Sequence, residues 1–187
     1  MMKRINFLTI AIVAVVTLGF ISCSNDDDTP PAPVNEEEVI TSVIVTLTGE
    51  GDVVELESRD LDGDGPNDPV VSVNGTFQEN IPYVGSVQFL NETESPAEDI
   101  NEEILEEAEE HQVFFVFGGG LDGSVTYGDE DSNGNPIGLQ FTLLPESASS
   151  GTLTVVLRHE PTKPNDGTLG DAGGETDVSA TFQVTIE

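Results

Sequence analysis

Val39-Ile40-Thr41-Ser42-Val43-Ile44-Val45-Thr46-Leu47-Thr48 is rich in β-branched residues, and its second half alternates apolar with polar side chains. Stiff, branched side chains suit a pleated, half-buried surface, and a period of two puts every second residue on one face. The stretch reads as a β-strand. Shorter runs of the same kind follow at 53–57, 70–77, 83–91, 113–117, 124–127, 139–144, 152–158 and 178–186, with Gly, Asn, Asp and Pro clusters between them. About nine short strands punctuated by turn signals predict an antiparallel, immunoglobulin-like β-sandwich. Phe114-Phe115-Val116-Phe117 predicts a central strand buried on both faces, and Gly118-Gly119-Gly120 the turn that ends it.

One helix interrupts the strands. Ser95-Pro96-Ala97-Glu98 offers an N-cap, a proline at the first helical position and a glutamate three residues on, which together form a capping box. Ile100, Ile104 and Ala108 fall on one face, with Leu105 beside them. Glu98, Asp99, Glu102, Glu103, Glu106, Glu107, Glu109 and Glu110 fall on the other, with no base among them. Like charges four residues apart weaken a helix, and acids near its C-terminus oppose the dipole. Such a helix depends on its apolar stripe lying against the sheet, and His111 would close it.

Toward the N-terminus, residues 24–36 are polar, acidic and proline-rich, and read as a tether. Before them stands a basic start, Met1-Met2-Lys3-Arg4, then an apolar run from Ile5 to Ile21 that closes on Ser22-Cys23. About 18 apolar residues would also span a bilayer. A basic region, an apolar region and a small residue before the cut nonetheless spell a secretory signal at 1–22, and the only cysteine at the cut marks lipidation at Cys23. Residues 23–36 are then the tether and 37–187 a single domain, long enough for a real core. Two acyl chains would hold the protein on a membrane. With Cys23 lipidated no disulfide remains, so packing, ions or both must hold the fold.

Loss of Lys3 and Arg4 with the signal leaves Arg59, Arg158 and Lys163 against all 36 acids. That surface excludes nucleic acid as a partner and is repelled by anionic headgroups; it favours metal ions or a basic protein face. Several acids are packed into short loops, where repulsion is costly without a counter-ion.

Asp60, Asp62 and Asp64 alternate, Gly65 takes the sharp-turn position and Asp68 follows four residues after Asp64. Carboxylates so spaced wrap one hard cation, which makes 60–68 a candidate calcium loop of the kind found in secreted proteins. Val71 stands where an EF-hand needs glutamate. Asp129, Asp131 and Asn133, followed by Gly134, repeat the register as a second calcium candidate, although Asn133-Gly134 also reads as a plain hairpin turn. The stretch 166–177 lacks alternating ligands and reads as a Gly-rich loop.

His111 and His159 are the only histidines. Each read alone is a structural or surface residue. If the sandwich brings them together, a transition-metal or haem site follows, and Glu107 with His111 at i, i+4 would form half of one. Catalytic signatures are lacking: there is no G-x-S-x-G elbow, no free thiol and no phosphate-binding glycine loop before a helix. Carboxylates are so common that none stands out as an acid–base pair. The chain reads as non-enzymatic.

The Cys23-Ser24-Asn25-Asp26-Asp27-Asp28 start, the Glu36-Glu37-Glu38-Val39-Ile40 entry strand, the 59–69 loop, Leu90-Asn91-Glu92, Ala108-Glu109-Glu110-His111-Gln112 and the Arg158-His159-Glu160-Pro161-Thr162-Lys163-Pro164-Asn165-Asp166-Gly167 segment resemble small acidic Bacteroidetes-type envelope lipoproteins, often labelled as a type 1 periplasmic binding fold superfamily. The acidic run after Cys23 resembles signals that send such lipoproteins to the cell surface. The resemblance implies a lipid-anchored address at the outer membrane and a partner there, such as an outer-membrane transporter or another envelope protein. The functional expectation is a calcium-stabilised binding module, and its alternative is a lipoprotein that captures a metal ion or haem for uptake.

Overall fold

Alternating strands bury one face each, and here two antiparallel sheets bury theirs against each other. The computed structural model describes residues 38–63 and 65–187. Cys23, the signal and tether expected at 1–36, and Asp64 lie outside the described residues. The order is β1 (Ser42–Gly49), β2 (Asp52–Arg59), β3 (Val70–Asn74), β4 (Tyr83–Asn91), β5 (Glu98–Asp99), helix α1 (Asn101–Glu106), β6 (His111–Gly118), β7 (Gly123–Tyr127), β8 (Gln140–Pro145), β9 (Ser149–His159), helix α2 (Leu169–Ala172) and β10 (Glu175–Ile186). One sheet runs β3-β2-β1-β4-β8-β7 with β5 added on β4; the other runs β10-β9-β6. The chain is mostly β and sandwich-like, as its spacing predicts, and all nine predicted strands are present. No helix among the described residues is long and apolar enough to cross a membrane.

Val43, Val45 and Leu47 of β1 are buried with Val54 and Leu56 of β2 and Val87 and Phe89 of β4. They share a cluster with Leu153, Val155 and Leu157 of β9 and Phe182 and Val184 of β10. Burying each such side chain stabilises by about 1.5–3 kcal/mol, so this shared layer holds the sheets together. A smaller cluster forms where Ala172 of α2 covers Phe114 and Val156 on the outer face of the three-stranded sheet.

Two expectations are corrected. The capped helix starting at Ser95 does not form: Glu98 and Asp99 pair instead with Asn91 and Leu90 of β4, and α1 spans only Asn101–Glu106. Asn101 explains the preference. Its Oδ1 accepts the Phe89 N–H at 2.9 Å and its Nδ2 donates to the Val87 carbonyl at 2.8 Å, completing the β4 edge that backbone pairing leaves open. Those contacts outweigh a capping signal on a helix whose acids repel. The second correction concerns β6, which is an edge strand of its sheet and not a central one.

Candidate metal centre

His111 opens strand β6 and does not end a helix; His159 closes strand β9, and the two are cross-strand partners. Just outside the pair, the Glu160 N–H donates to the Glu110 carbonyl at 2.7 Å. This bond makes 111/159 a non-hydrogen-bonded pair, the kind that holds side chains closer. The rings accordingly stack, with centroids 4.6 Å apart and planes inclined by 21°. Both residues are buried, so the expectation of isolated histidines gives way to a pair.

Two carboxylates reach this pair from elsewhere in the chain. Along β10, Thr176 pairs with Arg158 and Val178 with Leu157, which leaves Asp177 as the extra residue of a β-bulge. A bulge re-aims a side chain, and here Asp177 Oδ1 lies 3.9 Å from His159 Nδ1. Gly174, at φ +70°, lets β10 start against the His159 carbonyl, which any Cβ there would strike. From the other side, Glu38 brings Oε1 to 3.0 Å from His111 Nε2, with its side chain 2% exposed.

The hydrogen bonding of His111 is informative. Its Nδ1 lies 3.2 Å from the Glu107 carbonyl, which can only accept, so the proton is assigned to Nδ1. A neutral ring would then point its Nε2 lone pair at a carboxylate oxygen, whereas an imidazolium would donate to it. Two acceptors at this distance need a proton or a cation. Metal-binding histidines commonly donate their second N–H to such a carbonyl, which fixes the tautomer.

One ligand atom from each of Glu38, His111, His159 and Asp177 lies within 4.8 Å of the other three. A tetrahedral ion with bonds of 2.0–2.1 Å would set its ligands about 3.3 Å apart. The Glu38–His111 contact is already near that spacing, and the His159–Asp177 contact must close by about half an ångström. Two buried carboxylates beside neutral imidazoles would be costly, and ring protonation or a divalent ion would offset their charge. Glu38 Oε2 and His159 Nε2 are buried and make no hydrogen bond. Nearby, burial, reinforced by Glu38, Glu107 and Glu98, raises the Glu103 carboxyl above its usual range, while His111 acts the other way.

The structure places the calcium candidates differently. Asp60, Asp62 and Asp68 line one surface pocket with Asn67. Within it, Asp62 Oδ2 already accepts the Asn67 side-chain amide at 2.6 Å, and the positive φ falls at Gly63 and not at Gly65. In the second loop Asp129 accepts the amides of Gly138 and Gln140, at 2.7 and 2.9 Å. Asp131 accepts those of Asn133 and Asn135, both at 2.9 Å, and pairs with Lys163 Nζ at 3.3 Å. Lys163 thus supplies a cation there. Burial pushes the Asp131 carboxyl up, but the Asn135 and Asn133 amides, the Asn135 side chain and Lys163 bring it below its usual range.

Both histidines were visible in the sequence as candidates; Glu38 and Asp177 were not. Glu107 contributes its backbone carbonyl to His111, in place of the i, i+4 side-chain contact expected. The fold and site together define a β-sandwich with a buried histidine–carboxylate centre. Comparison with family models, curated proteins and solved structures found no match, so function is argued from this centre.

Proposed function

We propose that this chain is a non-enzymatic envelope lipoprotein that captures a transition-metal ion at Glu38, His111, His159 and Asp177 for an outer-membrane uptake system. The observation that carries the reading is the buried, stacked imidazole pair with a carboxylate on each side. Imidazole with carboxylate suits zinc, copper and nickel, whereas calcium takes six to eight oxygens. Haem fits less well, because imidazole faces 4.6 Å apart leave no room for a porphyrin between them. The envelope address rests on Cys23, the acidic tether and the lipoprotein resemblance.

The test is the melting temperature of the purified full chain in EDTA and then with zinc, with calcium and magnesium as controls. Zinc at a hundredfold excess over its Kd is expected to add about 2.7 kcal/mol of stability. His111→Ala with His159→Ala should abolish that gain. An equal shift with magnesium, or a zinc shift that survives the double substitution, would refute the reading.

A further inference from the structure

The buried centre lies beside an acidic surface depression of ≈ 460 Å³, whose lining includes Glu107, Glu109, Glu110, Glu130 and Asp131. A hydrated divalent ion, taken as six waters of about 30 Å³ each, needs about 180 Å³, so it fits without shedding its shell. Glu107 and Glu110 are exposed at this edge, and together with His159 they bring three ligand atoms within 4.8 Å of one another. Carboxylates alone would make only an acidic patch. The distinguishing atom is His159 Nε2: its ring is 4% exposed, it makes no hydrogen bond, and it lies 3.9 Å from Glu110 Oε2. The opposite ring nitrogen, Nδ1, lies 3.9 Å from Asp177.

We infer that Glu107, Glu110 and His159 Nε2 form a second, solvent-facing site that receives a hydrated divalent transition-metal ion and passes it inward. This rests on the buried centre holding such an ion. A neutral imidazole has one lone pair, on the nitrogen without the proton. With the proton on Nδ1, the lone pair on Nε2 serves the outer set. As the ion moves in and Nδ1 becomes the ligand, the Nδ1 proton leaves to water and Nε2 takes one up. The two sites therefore compete for one ring, and a single ion is held at a time. Because the outer site is a waypoint, weakening it slows entry and exit together and leaves the equilibrium affinity nearly unchanged.

Stopped-flow association of Co²⁺ with the full chain tests this. Glu107→Gln with Glu110→Gln leaves the Glu107 carbonyl on His111 in place, and is expected to slow association about tenfold with affinity nearly unchanged. Glu55→Gln with Glu102→Gln removes the same charge from exposed positions outside the depression, and should slow it only slightly. Equal slowing in both double variants would mean general charge steering and would overturn the inference, as would no slowing in either. If the wild-type chain binds no Co²⁺ at equilibrium, the buried-centre reading fails and the inference falls with it. Equilibrium binding without a difference in rate removes the entry site alone.

Discussion

His111 and His159 differ in what their second nitrogen meets. The first is fixed by the Glu107 carbonyl, whereas the second has a buried nitrogen with no hydrogen bond. Glu103 stands close enough to Glu38 and His111 to feel their charge. Its carboxyl is raised chiefly by burial, then by Glu38, Glu107 and Glu98. A raised folded-state pKa means that the stabilising contribution is complete below the usual glutamate value of about 4.3 and is lost as pH rises through the folded value. Glu103→Gln, which stays neutral, is therefore expected to raise the melting temperature at pH 7 and to change little in acid. Zinc at the buried centre should shrink the difference at pH 7, because a nearby cation favours the ionised carboxyl. A Glu103→Gln variant that melts lower than wild type at pH 7 would show that the carboxylate is instead stabilising.

At the scale of elements, the strands were legible because β-branched and aromatic runs recur between turn signals, and 83–91 matches β4 residue for residue. The helix was overread because its capping box is a local signal. Pairing of Glu98 and Asp99 with β4, and Asn101 filling the β4 edge, are contacts with residues earlier in the chain that no local pattern reveals. The centre was half legible for a similar reason. Two histidines stand out in any sequence, but Glu38 and Asp177 are two acids among 36, and the bulge that aims Asp177 carries no sequence mark. The bulge yields its own prediction. Deleting Asp177 leaves Thr176 against Arg158 and Val178 against Leu157, so β10 should pair regularly and the fold survive. Zinc affinity should fall at least about tenfold, or about 1.4 kcal/mol. Titration calorimetry showing wild-type affinity in a folded deletion variant would exclude Asp177 as a ligand.

Over the whole molecule, the surplus of acids draws any cation toward the surface. Salt screens that general attraction beyond about 8 Å at physiological ionic strength, but screens a buried centre far less. Specific binding must therefore persist at 0.15 M salt with magnesium in excess. The centre also joins four distant parts of the chain: Glu38 ahead of β1, the start of β6, the end of β9 and the β10 bulge. An ion there would tie Glu38, ahead of β1, to the three-stranded sheet. The most direct test is the visible absorption spectrum of the full chain with one equivalent of Co²⁺ under those salt and magnesium conditions. The account predicts the intense bands of a four-coordinate site with imidazole ligands, lost in His111→Ala and in His159→Ala. A spectrum that remains that of hydrated cobalt, or one unchanged by either substitution, would contradict it.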